Sequence, residues 1–101
     1  MPRYLLAYHG GHVDESLEGR QRVMAAFGKW FEPRLIDTGN PLGRAVTIDD
    51  SSVTGGGGPN PISGYTVIEA NDMDTAIELV KRGPIVQGGR TVEIAETTTA
   101  L

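Results

Sequence analysis

Apolar residues recur along this chain with two different periods, and each change of period marks an element. Residues 3–9 (Arg-Tyr-Leu-Leu-Ala-Tyr-His) form a short apolar and aromatic run stopped by Gly10 and Gly11, which predicts a strand. Farther on, Leu17, Val23, Met24, Phe27, Trp30 and Phe31 recur at three- and four-residue steps. With Asp14 or Ser16 as N-cap, Glu15 and Glu18 at the positive end of the dipole and Pro33 beyond, this predicts a helix over 14–32. Residues 37–43 are dense in turn formers, and 44–49 (Arg-Ala-Val-Thr-Ile-Asp) alternate, which predicts the second strand there.

The stretch 51–61 lacks apolar periodicity and carries Gly55 to Gly58 and then Pro59-Asn60-Pro61, so it reads as a loop. Residues 64–70 are β-rich and pass directly into Asn71 and Asp72, both good N-caps, followed by Met73, Ala76, Ile77 and Val80 on one helical face. Gly83 and Pro84 end that helix, Gly88 and Gly89 turn the chain, and 90–95 supply a last strand before a polar tail.

Strand, helix, strand, strand, helix, strand is the order of an α+β, ferredoxin-like βαββαβ domain: a four-stranded antiparallel sheet with two helices on one face. Two helices cover one face only. In the first strand Leu5 and Ala7 oppose Tyr4, Leu6 and Tyr8; in the third, Thr66, Ile68 and Ala70 oppose Tyr65, Val67 and Glu69. Both faces are substantially apolar. The Tyr-rich face is therefore expected to need a cover from outside the chain, and a second copy packed sheet to sheet supplies one, giving a homodimer with a barrel-like interior.

Composition narrows the class. The chain has 101 residues, 39% of them hydrophobic and 22% charged, the size and balance of a single globular domain spanning 1–101. Cysteine is absent, which excludes disulfides and thiolate metal sites. The apolar run near the N-terminus is too short for a signal-peptide core or a membrane span, so a cytoplasmic protein without membrane attachment is expected. The net charge is −4 and the cations are scattered, which argues against nucleic acid as a partner.

Several segments carry a resemblance. Asn60-Pro-Ile-Ser-Gly-Tyr-Thr-Val-Ile-Glu-Ala70, Asp72-Met-Asp-Thr-Ala76, Gly83-Pro84 and Gly88-Gly-Arg-Thr-Val-Glu93, with the opening Arg3-Tyr-Leu-Leu-Ala-Tyr8 and the stretch 30–43, resemble the YCII-related family, including its DGPF-type branch. The resemblance covers nearly the whole chain and implies a dimeric α/β barrel. Members of that family are proposed to use a His on the first helix and an Asp near its end as an acid–base pair. Here the stretch 14–32 holds no histidine, no Asp lies between Glu15 and Arg34, and Gly55-Gly-Gly-Gly-Pro-Asn-Pro61 stands where the DGPF tetrapeptide would be. The resemblance thus implies fold and assembly, and not that pair.

The remaining candidate chemistry is sparse. The two histidines, His9 and His12, flank Gly10-Gly11 at the exit of the first strand. His9 is the candidate general acid or base, with Asp37 as its orienting carboxylate if the loop before the second strand comes close; the alternative is a strand-end histidine satisfied by backbone or water. His12 reads as a loop residue. A His-Gly-Gly-His pair and a distant Asp fall short of a metal site, and no cofactor is expected. The four-glycine run lacks the Lys and Ser/Thr of a phosphate loop and reads as a flap over the barrel mouth or a plain connector. Tyr8, Tyr65 and Trp30 are candidate lining residues for a small organic ligand, against the alternative of core and interface packing. The sequence leaves two readings open: a small-molecule-binding protein with isomerase- or lyase-type proton transfer, and a non-catalytic ligand- or partner-binding dimerisation module.

Overall fold

The computed structural model describes residues 1–10, 16–56, 58–86 and 89–98. His12 and Asp14 lie outside them, as do Gly57 and Gly88. Through the described residues run β1 (Arg3–Gly10), α1 (Leu17–Phe31), β2 (Leu35–Asp37), β3 (Val46–Ile48), β4 (Val53–Gly55), β5 (Ile62–Glu69), α2 (Met73–Arg82) and β6 (Arg90–Glu96). The main sheet is ordered β2-β5-β1-β6, and its pairs are antiparallel. Each helix connection crosses one intervening strand, β5 under α1 and β1 under α2, an order compatible with the expected ferredoxin-like fold.

The second strand of that sheet is not where alternation puts it. Residues 46–48 pair with 53–55 in a separate two-stranded hairpin, while Leu35–Asp37 takes the sheet edge beside β5. The expected loop over 51–61 therefore contains a strand. Asp49 explains the tight return: one of its carboxylate oxygens accepts the amides of Ser51 and Ser52 at 2.8 and 2.7 Å, closing a local turn that pairs the two short strands at once. Those same bonds hold the Asp49 carboxyl below its ordinary range.

The covered face of the sheet is also the opposite of the one expected. Tyr4, Leu6 and Tyr8 are buried beneath the helices, together with Ile68 and Ala70, and they meet Met24, Phe27 and Phe31 of α1 and Ala76 and Val80 of α2 in one core. The physical reason is bulk. Two helices stand off a sheet far enough to need large side chains between, and the tyrosines fill that gap, each burying a large apolar ring. The face left open carries Leu5, Ala7, Tyr65 and Val67, with Leu5 36% exposed.

Local signals account for the helix limits. Ser16 caps α1, its hydroxyl accepting the Gly19 amide at 3.0 Å, and Asp72 caps α2 through the Thr75 amide at 2.8 Å. Within α1, Leu17 is exposed rather than core-facing, and the helix approaches β2 so closely at Gly28 that a Cβ there would lie 3.1 Å from the Thr38 methyl. Trp30, 39% exposed, lies over Gly83, and its indole N–H donates to the Leu79 carbonyl at 3.0 Å, tying the end of α1 to the end of α2.

Candidate functional site

Between α1 and the inner face of the sheet lies a cleft of about 60 Å³. Helical spacing places Val23, Met24 and Phe27 along one wall, because positions three and four apart share a face. Tyr8 of β1 contributes the floor, its ring meeting Phe27 edge to face with centroids 5.2 Å apart. Pro41 and Leu42, which follow β2, form the outer rim; they are held against β5 by a bridge from Pro41 to Gly64 and by the Leu42 amide donating to the Ser63 carbonyl at 2.9 Å. A second, wider hollow of about 450 Å³ at the foot of the β3–β4 hairpin shares Leu42 and Ser63 with the cleft.

The polar groups of the cleft have distinct states. The Tyr8 hydroxyl donates to the Thr66 hydroxyl at 2.7 Å, and Thr66 donates in turn to the Thr38 carbonyl at 2.8 Å, so a relay that starts from two buried side chains links the floor to the half-buried segment after β2. Burial pushes the Tyr8 phenol up to about 12, outweighing the Thr66 hydrogen bond and the nearby Arg90 charge, which pull it down. At neutral pH it is an uncharged hydrogen-bonding group, not a base. The Ser63 hydroxyl lies 3.2 Å from the carbonyls of both Tyr8 and Gly10 and donates to them. The guanidinium-bearing residues Arg20 and Arg90 complete the lining.

The sequence-derived candidates are dispersed. Tyr8 lines the cleft. Tyr65 is on the opposite, open face, where its hydroxyl accepts from the Asn40 amide at 3.3 Å, and Trp30 sits between the helix ends. His9 lies on the open face with Nδ1 3.0 Å from the Asn60 carbonyl and Nε2 3.2 Å from the Glu93 carboxylate. Both partners are acceptors, so only the doubly protonated ring donates to both at once. The expected His9–Asp37 pair is not formed. His9 is in register with Ile62 and Asp37 with Val67, five positions apart along β5, or about 16 Å at strand rise. Asp37 instead accepts the Gly39 amide at 2.9 Å and closes a turn. Gly39 adopts φ +76°, and a Cβ there would overlap the Tyr65 carbonyl oxygen, so the turn requires glycine.

Arg20, Met24, Leu42 and Arg90 were not singled out as site residues by sequence reasoning, although the two arginines carry a signal. Arg20 precedes Met24 by four and Phe27 by seven, and Arg90 precedes Val92 and Ile94 by two and four, so each cation occupies a register position that periodicity assigns to the core. Among the described residues no cluster of three or more His, Cys, Asp or Glu is arranged to hold a metal, and no helix is long and apolar enough to cross a membrane. No protein-family model, curated protein or solved structure matches the chain.

Proposed function

We propose that this protein binds a small organic molecule in the cleft between α1 and the sheet, as a non-catalytic ligand-binding module of YCII-related kind, and that it works as a homodimer. One observation carries the binding reading: a recess walled by Val23, Met24, Phe27 and Leu42 and floored by a tyrosine whose hydroxyl is already engaged also presents a few polar groups, Ser63, Arg20 and Arg90, and among the described residues it is lined by no imidazole or carboxylate. Among the described residues the cleft holds no acid–base pair for proton transfer of the isomerase or lyase type: His9 faces the other side of the sheet and Asp37 is a turn residue. The homodimer reading rests on the open face, where Leu5, Ala7, Tyr65 and Val67 form an apolar surface that a second copy would cover, as the YCII resemblance implies.

The test of the binding site is a thermal-shift screen of small metabolites on the wild-type chain and on Val23→Trp, which fills the cleft. Compounds that raise the midpoint of the wild type and not of the folded variant support the reading. Compounds that stabilise the two equally bind elsewhere and overturn it.

A further inference from the structure

We infer that the β3–β4 hairpin is an arm that packs its apolar face on a second copy of this chain; this rests on the homodimer reading and adds a second contact to it. The hairpin alternates as a half-covered sheet does. Ile48 is in register with Val53 and Val46 with Gly55, so Val46, Ile48 and Val53 share one face, while Thr47 and Thr54 pair on the other. Nothing in the described chain supplies the cover: Val46, Ile48 and Val53 are 48%, 70% and 68% exposed, and the threonines opposite are exposed as well. The hairpin is closed on itself, by the Asp49 turn at its tip and by the Gly56 amide donating to the Ala45 carbonyl at 2.9 Å at its base, and it pairs with no strand of the main sheet. A lone two-stranded hairpin is marginal in water and gains its stability from an apolar surface to pack on.

Area and position favour a second copy as that surface. Strands of at most eight residues, four abreast, give the open face of the main sheet a footprint of at most about 500 Å². A stable interface takes about 800 Å² from each partner, so sheet-to-sheet contact alone falls short. In a two-fold pair each copy gives one hairpin and receives one, and the same apolar face therefore enlarges the interface twice over. The foot of the arm borders Gly10 and Ile62, at the ends of the two central strands, so it leaves from the rim of the open face and extends the surface a second copy would meet. The tip carries Asp49 and Asp50. Burying an unpaired carboxylate is costly, so the face makes the contact and the tip stays in water.

The experiment measures the dimer dissociation constant of the full chain by sedimentation and maps the contact with a nitroxide on Asp50→Cys, the chain having no other cysteine. Ile48→Ser and Val53→Ser are each expected to raise the dissociation constant about tenfold, the worth of one buried aliphatic side chain. Thr54→Ser, on the other face, is expected to leave it within about twofold. In mixed dimers of the nitroxide-bearing chain with isotope-labelled wild type, the nitroxide is expected to broaden amides in β1 and β5 of the wild-type partner. That measurement holds even where a serine variant loosens the hairpin itself. A monomer at millimolar concentration overturns the homodimer reading and the arm with it. A dimer that forms as tightly with Ile48→Ser and Val53→Ser as without them, or that shows no broadening in the partner, overturns the arm and leaves the homodimer standing. Equal weakening by Thr54→Ser also overturns the arm, because the effect would then not come from the apolar face.

Discussion

The two faces of the sheet are built from similar residues and have different fates. On the covered face Tyr8 is buried, edge-on to Phe27, with its hydroxyl locked into a relay through Thr66. On the open face Tyr65 is half-buried, and its hydroxyl meets the Asn40 side chain at 3.3 Å. Leu6 is fully buried, whereas Leu5, the next residue, is 36% exposed. Residue type alone therefore does not decide which tyrosine or leucine contributes to stability. What decides is which face the two helices land on, and neighbouring residues of one strand differ as much as core and surface.

That contrast is sharpest in a paired truncation. Leu6→Ala should lower the free energy of unfolding by about 2–5 kcal/mol, because it removes a buried side chain and leaves a cavity. Leu5→Ala should cost about 0.5 kcal/mol or less if the open face stays in water. Urea denaturation at low and high protein concentration checks both. A Leu5→Ala cost that grows with concentration, alongside a sedimentation mass twice that of the chain, is what the homodimer reading expects. Concentration-independent unfolding of a monomer would remove it.

A second pair separates the two hydroxyl environments. Thr66→Val keeps the shape and strips the Tyr8 hydroxyl of its acceptor inside the core, for an expected loss of about 1–3 kcal/mol. Tyr65→Phe gives up a single contact at an accessible position and should stay within about 0.5 kcal/mol. Equal losses would mean that the open face is as dry as the covered one. The smallest effect is expected at the N-terminus of α2. The Thr75 hydroxyl and amide hold the Asp72 carboxyl below its ordinary value of 3.8. A carboxyl depressed in the folded state contributes stability that is complete above its unfolded value, near pH 4, and is lost as the pH falls through the lower folded value. The thermal midpoint of the wild type should therefore fall more steeply below about pH 4 than that of Asp72→Asn; parallel curves would show that the cap is not linked to protonation.

Much of the architecture is legible in the sequence because it rests on strong local signals. The α1 stripe, the Asp72 cap and the alternation of 64–70 each specify their element without help from distant residues. Two features are not legible, for different reasons. The edge strand Leu35–Asp37 has three residues, too few to express a period, and it is formed by pairing with β5 rather than by its own pattern. Meanwhile 46–48 alternate well but are captured by the nearer partner that the Asp49 turn delivers. The identity of the covered face also escapes pattern reading, since alternation divides a strand into two sides without saying where the helices lie. For the site, Tyr8 was readable as a lining residue. Arg20 and Arg90 become conspicuous only when their register is compared with that of their buried neighbours, and the separation of His9 from Asp37 depends on a register along β5 that no local signal encodes.

The unequal edges of the main sheet carry a consequence for how the protein can misassemble. On one side the three-residue β2 exposes too short a row of backbone donors and acceptors to template another chain. On the other, the seven-residue β6 is an edge among the described residues, and Glu93 and Glu96, on opposite faces of it, are exposed. A strand added in trans would lengthen the sheet from β6 and would meet those two carboxylates, and charge on a sheet edge opposes fibre-like growth.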